Sequence, residues 1–136
     1  MKLLLIYADR FGYRTSMETI DLEPDRDETR TVEDVLVGFI HLEESDEADP
    51  GRIETKLVKN LKWAARKNGT NRIVLHSFAH LAESKASPEL AKKVLDGAQQ
   101  RLIAAGYETI QTPFGYFLDL SLSAPGRPSA RIFKSI

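Results

Sequence analysis

The chain has 136 residues, of which 42% are hydrophobic and 29% are charged, and its formal net charge is −1. This balance is typical of one folded domain, and it excludes both a wholly disordered chain and a uniformly basic surface for nucleic acid. The absence of cysteine excludes disulfides, thiolate metal ligands and cysteine nucleophiles. No segment approaches the roughly 20 apolar residues that span a bilayer, so we expect a cytoplasmic protein without a membrane anchor.

The first third of the sequence predicts three strands. Lys2 to Tyr7 is a continuous apolar run, Tyr13 to Ile20 is a more exposed segment, and Asp9 to Gly12 between them has the composition of a turn. Charged residues dominate from Asp21 to Asp34, which predicts a solvated loop rather than a metal site, because the fixed ligand spacing of hard-cation loops is missing. Val35 to Leu42 is mostly apolar on both faces and predicts a central strand.

Two helices are indicated by their starts and ends. Asp49 and Ser87 are capping residues, and each precedes a proline at the first helical position. Gly69 and Gly106 end the two helices. Apolar stripes with helical spacing follow the caps, at Ile53, Leu57, Leu61 and Ala64 in the first helix and at Ala91, Val94, Leu95, Ala98 and Leu102 in the second.

The remaining segments complete a sheet. The apolar run Ile73–Leu75 predicts a short buried strand, and short strands are also predicted at Tyr107–Gln111 and Ala130–Phe133. The alternation from Phe117 to Ser123 predicts a half-buried antiparallel strand. Gly38, inside the third predicted strand, indicates either a bulge or a close approach of another element. The predicted order is β-β-β-α-β-α-β-β-β, which is a single α/β domain with a mixed β-sheet and two helices.

Two histidines, His76 and His80, stand where a buried strand meets a loop before a helix, a place where α/β sheets commonly bind ligands. A zinc site is one interpretation, but catalytic zinc needs three protein ligands. His41 is the only other histidine in the sequence, and no carboxylate falls at a recognisable metal spacing. We therefore expect no metal and no cofactor. Ser77 or Ser84 could act as a nucleophile beside a histidine, although neither lies in a nucleophile-elbow pattern.

A second candidate loop runs from Pro113 to Tyr116. Gly115 between two aromatic residues lets the backbone approach a flat ligand, and the rings can stack on a base or sugar. The alternative is a hairpin corner with its aromatic rings in the core. For His80 the alternative is a helix-capping or buried, hydrogen-bonded histidine. We predict that this loop and the histidine loop form one pocket.

With these motifs, the chain resembles the archaeal-type N-terminal editing domain of threonyl-tRNA synthetase, whose fold is shared with D-aminoacyl-tRNA deacylases. The resemblance covers residues 1–136 and rests on the apolar first strand, Val35–Ile40, Phe78–Leu81 and Pro113–Tyr116. It implies a D-aminoacyl-tRNA deacylase-like fold, a homodimer, and hydrolysis of serine mischarged on threonine tRNA, which is proofreading in translation. A synthetase needs such a second sieve because one methyl group is worth only about 1–3 kcal/mol in rejecting serine.

The resemblance also implies a site. His80 falls on the family's pocket histidine and is the candidate catalytic residue, and the candidate substrate-binding residues are Phe78, Ala79, Phe114, Gly115 and Tyr116. The implied ligand is the 3′-terminal adenosine of an aminoacyl-tRNA with its aminoacyl group. The implied partners are that tRNA, a threonyl-tRNA synthetase and a second copy of the chain. The chain is either a free-standing protein or a piece of a synthetase.

Three departures from the family pattern keep two functions open. Leu118 stands where the family has a lysine, Arg131 stands near a family glutamate, and only Asp9 agrees with the histidine-serine-aspartate that ends the family's first strand. Leucine cannot hold a water or stabilise an oxyanion. Three alternatives follow: a divergent deacylase with another specificity, a deacylase that relies on backbone donors and the 2′-hydroxyl of the tRNA, or a catalytically inactive relative. The inactive relative would bind aminoacyl-adenosine or tRNA, or serve in assembly. Asp119, Arg131 or Lys134 inside the pocket would favour the enzyme.

Overall fold

Six strands and two helices make up the fold in the structure, a computed structural model that describes residues 1–18 and 27–136. In chain order they are β1 Lys2–Glu18, β2 Thr29–His41, α1 Pro50–Lys67, β3 Arg72–Ser77, α2 Pro88–Ala104, β4 Glu108–Gln111, β5 Tyr116–Ser123 and β6 Arg131–Ser135, with short 3-10 helices at Glu44–Ala48 and Pro128–Ala130. The strand order is β4-β3-β2-β1-β5, and β6 also pairs with β1. Parallel pairs join β2 to β3 and β3 to β4, whereas β1 is antiparallel to its three neighbours. The predicted mixed sheet with two helices and a central β2 is confirmed.

The predicted turn at Asp9–Gly12 is wrong, because β1 continues through it. Residues 10–14 pair with residues 29–33 of β2 and, on the other side, with residues 119–123 of β5. Burial of Phe11 (0% exposed) and Tyr13 (3%) keeps this polar-looking segment in the sheet. Thr29 to Asp34 is therefore strand rather than solvated loop, and the nine-element order becomes one of eight. Residues 19–26, which hold the rest of that predicted loop and the end of the predicted second strand, lie outside the described residues.

β1 is long and curved, so that both of its ends lie near the carboxyl ends of the parallel strands. Its first residue pairs with His41, at the carboxyl end of β2, while its last residue, Glu18, pairs with Tyr116. Tyr116 follows β4, which runs parallel to β3 and β2 and ends at the same edge. A straight strand of 17 residues would span roughly 55 Å, so β1 must curve to connect these points. The curve carries β5 towards the carboxyl ends of the parallel strands.

The core has two parts, one on each face of the sheet. On the helix side, Leu3, Leu5, Leu36, Ile73 and Leu75 are buried with the apolar stripes of α1 and α2. On the opposite side, Ala8, Phe11, Tyr13, Val35, Val37, Phe39 and Val74 form a second cluster under the curved half of β1. Gly38 pairs in register with both neighbouring strands, and a Cβ there would lie 2.8 Å from Leu61 Cδ2. The close approach of α1, and not a bulge, therefore explains this glycine.

The helix starts and ends are confirmed. The Asp49 carboxylate accepts a hydrogen bond from the Arg52 amide at 3.2 Å, and the Ser87 hydroxyl accepts one from the Leu90 amide at 3.2 Å. The prediction for β5 is only partly right: the strand is antiparallel, but Leu120 and Leu122 are 39% and 40% exposed. Among the described strands β5 pairs only with β1, so its other side is open. No helix in residues 1–18 and 27–136 is long and apolar enough to cross a bilayer.

Candidate functional site

A cavity of about 340 Å³ opens at the carboxyl ends of β2 and β3, a volume within the range of small-ligand sites. The six residues predicted for the site all line it: Phe78, Ala79, His80, Phe114, Gly115 and Tyr116. Its floor is mostly apolar and comes from Ile40, Leu42 and the first turns of α2. The structure thus brings the two predicted loops around one cavity, as the sequence motifs indicated.

Hydrogen bonds at neighbouring strand ends bring the two loops together. The Phe78 amide donates to the Ile40 carbonyl at 2.9 Å, which extends the pairing of β3 with β2 by one residue. The Thr112 amide donates to the Leu75 carbonyl at 3.0 Å, which does the same for β4 and β3. Because the three strands are parallel, both loops leave the sheet at one edge.

His41 positions the loop between β3 and α2. The ring is buried (1% exposed), and its Nδ1 accepts hydrogen bonds from the amides of Leu81 at 2.9 Å and Ala82 at 3.1 Å. Nδ1 is therefore unprotonated, and Nε2 carries the proton that is donated to the Ser84 carbonyl at 2.8 Å. Sequence reasoning considered His41 only as a missing metal ligand. Its place at the buried end of a central strand was the available signal for this structural role.

His76 lies in the cavity wall as a buried, neutral imidazole. Its Nδ1 is 2.8 Å from the Thr112 hydroxyl, and its ring meets Phe39 edge-on at 5.2 Å between centroids. Burial, with a smaller contribution from the nearby charge of His80, lowers the pKa of His76 to about 4. At neutral pH the site therefore presents an uncharged ring at this position.

The His80 ring is exposed at the rim of the cavity, between two phenylalanines. It lies edge-on to Phe78, with centroids 4.9 Å apart, and nearly parallel to Phe117 at 6.4 Å. Ser87 caps the following helix. His80 is therefore neither a core histidine nor a helix cap, and both of its ring nitrogens can meet a ligand or solvent.

The Pro113–Tyr116 loop combines both interpretations of its sequence. The Phe114 ring is 5% exposed and joins the core on the helix side, as a hairpin corner predicts. Gly115 has φ of +83°, a left-handed conformation that other residues rarely adopt, and it brings the backbone to the cavity surface. Tyr116 is half-buried at the cavity wall. The loop therefore offers both ring surface and backbone to a ligand.

The three polar residues whose position distinguishes an enzyme from a binding module lie elsewhere. Asp119 pairs with Arg14 at 2.6 Å, the Arg131 guanidinium donates to the Pro125 carbonyl, and Lys134 lies over the Trp63 ring. None of the three lines the cavity, whereas Leu118 does. This outcome favours a binding role on the criterion set out from the sequence.

Sequence reasoning missed one charged side chain in the cavity wall, Lys85. Its neighbours are held in place, since the Ser84 hydroxyl accepts from the Glu44 amide at 2.9 Å and the Ala86 amide donates to the Leu42 carbonyl at 3.0 Å. The Lys85 ammonium has no hydrogen-bond or ion-pair partner in the part of the chain that the structure describes. The backbone of Lys85 is thus held beside the cavity, and its ammonium is free to reach a ligand there.

Neither a metal site nor a serine nucleophile paired with a histidine is formed by the described residues. Within residues 1–18 and 27–136, no group of three His, Cys, Asp or Glu could hold a metal ion. Ser84 uses its hydroxyl and its carbonyl to anchor the loop. Ser77 lines the cavity, but its hydroxyl bonds to no histidine ring among the described residues.

Comparison with known proteins identifies the family. Residues 1–136 match the family described as the archaea-specific editing domain of threonyl-tRNA synthetase. The threonine–tRNA ligases of Thermococcus kodakarensis and Thermococcus gammatolerans are 34% and 35% identical over 139 residues, and that of Methanosphaera stadtmanae is 33% identical over 138 residues. Each alignment covers 100% of this chain and 22% of the relative, so the chain spans about a fifth of the length of these enzymes.

A solved structure supports the fold. The protein titled c-Myc DNA Unwinding Element Binding Protein aligns with a TM-score of 0.67 over 100% of this chain and 99% of that chain, at 10% identity. At that identity the likeness shows the fold alone. Taken with the sequence matches, it means that the chain belongs to the archaea-specific editing domain family of threonyl-tRNA synthetase and has the D-aminoacyl-tRNA deacylase-like fold.

Proposed function

We propose that this chain is an aminoacyl-tRNA deacylase that hydrolyses serine mischarged on threonine tRNA, with the 3′-terminal adenosine and its aminoacyl group in the cavity. The observation that carries the proposal is the meeting of the two loops, with His80 at the rim, around one cavity in a chain of the editing family. The pocket has the ring surfaces and backbone groups that recognition of a nucleoside requires. We further propose that the protein works in the cytoplasm alongside a threonyl-tRNA synthetase.

The reaction needs one developing negative oxygen to be stabilised. Water adds to the ester carbonyl to form a tetrahedral oxyanion, and the ribose oxygen then leaves with a proton. The Phe78 and His80 amides already donate to the Ile40 and Phe78 carbonyls. The Ala79 amide has no partner in the described part of the chain, and neither has the Phe114 amide. We assign these two backbone donors to the oxyanion, because donors fixed in advance are the effective ones.

His80 is proposed to bind or orient the attacking water and the aminoacyl group. Its ring is fixed by two aromatic neighbours, while its nitrogens stay open to the cavity mouth. Lys85 is proposed to supply the positive charge that Leu118 cannot. The ammonium can bind an oxyanion or a nucleotide phosphate, since lysine is a mobile point charge on a long stem.

The second candidate function is a catalytically inactive relative that binds the aminoacyl-adenosine end of tRNA. Two observations favour it: Leu118 lines the cavity, and Asp119, Arg131 and Lys134 do not. A panel of seryl-, threonyl- and D-aminoacyl-tRNAs separates the two functions when it is assayed with wild type, His80→Ala and Leu118→Lys.

In that panel, wild type is expected to clear seryl-tRNA(Thr) and leave threonyl-tRNA(Thr) intact. His80→Ala is expected to lose about 10²-fold in rate, with an unchanged unfolding temperature because the ring is exposed. Leu118→Lys is expected to accelerate serine removal. Equal rates for wild type and His80→Ala would contradict the site, and inertness of both wild type and Leu118→Lys on all substrates would leave only the binding function.

A further inference from the structure

The outward face of α1 carries six cations on one side of a single helix. They are Arg52, Lys56, Lys59, Lys62, Arg66 and Lys67. At 100° per residue they fall within an arc of about 140°, opposite the buried stripe that faces the sheet. The helix contains one acid, Glu54, whose carboxylate is bonded to Arg101 of α2 at 3.2 Å and so does not neutralise this face.

Within the part of the chain that the structure describes, these cations have no acidic partners. In residues 1–18 and 27–136, no carboxylate lies within 4.0 Å of any of the six, and Arg66 makes a long hydrogen bond to the Tyr107 hydroxyl at 3.5 Å. With six cations and one acid, α1 carries +5, whereas the whole chain carries −1. A near-neutral total therefore hides a strongly basic face, and the remaining residues are correspondingly acidic. An unneutralised array of this kind attracts polyanions.

The single tryptophan of the chain lies in the middle of this basic face. The Trp63 ring is 37% exposed, with the Lys67 ammonium 6.0 Å and the Lys134 ammonium 5.1 Å from its centroid. Lys134 belongs to β6, so the basic face extends from the helix to the neighbouring strand. Lysines around a partly exposed aromatic ring are typical of surfaces that follow a nucleic-acid backbone.

We infer that this face of α1, together with Trp63 and Lys134, binds the phosphate backbone of tRNA. The inference rests on the proposed function for the choice of RNA. An acidic protein fits less well, because protein interfaces need a cluster of apolar anchors and Trp63 is the one large apolar side chain on this face. No residue of α1 lines the cavity. The surface is therefore separate from the ester chemistry and would hold the body of the RNA while its 3′ end enters the site.

The test titrates an uncharged threonine tRNA transcript into the protein between 50 and 200 mM salt and follows the fluorescence of Trp63. Lys56→Gln/Lys59→Gln is compared with Arg30→Gln/Lys93→Gln, which removes two exposed cations outside α1. The α1 variant is expected to bind about tenfold more weakly and to lose about two units from the slope of log affinity against log salt. The control variant is expected to match wild type, and equal slopes for all three proteins would overturn the inference.

Two further arms separate this inference from the proposed function. A serylated CCA trinucleotide reaches the cavity without the RNA body, so the α1 variant should hydrolyse it at the wild-type rate while its KM for seryl-tRNA rises about tenfold. If wild type hydrolyses neither substrate but still binds tRNA through α1, the proposed function fails and the surface stands. Poly-L-glutamate that binds as tightly as tRNA at equal charge would overturn the assignment to RNA.

Discussion

His76 links the cavity to the pH dependence of stability. The folded chain holds the pKa of this buried ring at about 4, below the ordinary value of 6.5. Between these two pH values, His76 is protonated in the unfolded chain and neutral in the folded chain. The free energy of unfolding is therefore unaffected by His76 above pH 6.5 and falls as the pH drops towards 4, by about 3 kcal/mol in all.

Replacing His76 with glutamine should remove this dependence. Urea denaturation at pH 7.0 and 4.5 is expected to show a loss about 2–3 kcal/mol smaller for His76→Gln than for wild type, because the variant has no ring to protonate. Val74→Ala, which shortens a fully buried side chain in the same strand, is the matched control. It should be less stable at both pH values and keep the wild-type difference. An unchanged pH difference in His76→Gln would contradict the assignment.

Lys85 offers a separate test at the level of one charge. Lys85→Ala is expected to lower kcat/KM for seryl-tRNA by about tenfold or more, because a hydrogen bond to a charged group is worth about 1.5–3 kcal/mol. Lys85→Arg should retain most activity. Lys93→Ala removes an exposed lysine of α2 that does not line the cavity and should behave as wild type. Full activity in Lys85→Ala would exclude the lysine from the site.

At the scale of elements, the loop between β3 and α2 depends on a ring that belongs to another strand. His41 accepts from the amides of Leu81 and Ala82 and donates to the Ser84 carbonyl. These bonds fix the segment that carries His80 on one side and Lys85 on the other. A buried group left unpaired costs about 1–3 kcal/mol, so the loop conformation is strongly coupled to this one ring.

His41→Ala should therefore loosen the loop, although His41 itself does not line the cavity. The amides of Leu81 and Ala82 are expected to exchange with deuterium at least tenfold faster, and stability should fall by about 3 kcal/mol. Ser84→Ala removes only the hydroxyl that accepts from Glu44 and keeps the carbonyl, so those two amides should stay protected in that variant. Unchanged protection in His41→Ala would mean that the loop is held by other contacts.

The sequence predicted correctly those elements whose boundaries depend on residues close together in the chain. Asp49 and Ser87 cap α1 and α2 through bonds to residues three positions on, so the caps were readable from spacing alone. The turn at Asp9–Gly12 was predicted from polar composition, yet Phe11 is buried by contacts with distant strands. β1 holds its course through pairing with β2 and β5, which no local window contains.

In the candidate site, too, residues within short motifs were predicted, whereas residues placed by distant contacts were not. His80 and the Pro113–Tyr116 loop carry compact motifs, and both line the cavity. Lys85 has no motif around it, and it reaches the cavity because its neighbours are tied to the end of β2. The basic face of α1 was overlooked because net charge was judged over the whole chain, where acidic segments cancel it.

At the scale of the whole molecule, β5 is an open edge of the sheet. It pairs with β1 on one side, and no described strand pairs with it on the other. Large apolar side chains stand along and beside it: Met17 is 62% exposed, Phe117 51% and Leu122 40%. Monomeric proteins usually shield such an edge. We propose that a second copy covers it in a two-fold homodimer, the commonest symmetry among oligomers.

The dimer proposal is tested by light scattering at high micromolar concentration. Wild type is expected to have twice the chain mass, because two β5 strands that pair about a two-fold axis satisfy the open backbone groups and cover both apolar edges. Leu122→Lys places a charge on that edge outside the cavity and should give a monomer. Phe133→Lys makes the same kind of change on β6, at a side chain that is 55% exposed, and should remain dimeric. A monomeric wild type, or equal dissociation of both variants, would exclude β5 as the interface.

Phe117 and Leu120 of the same strand line the cavity, so a dimer through β5 would also bring the partner to the cavity mouth. Leu122→Lys should then raise KM for seryl-tRNA as it dissociates the pair.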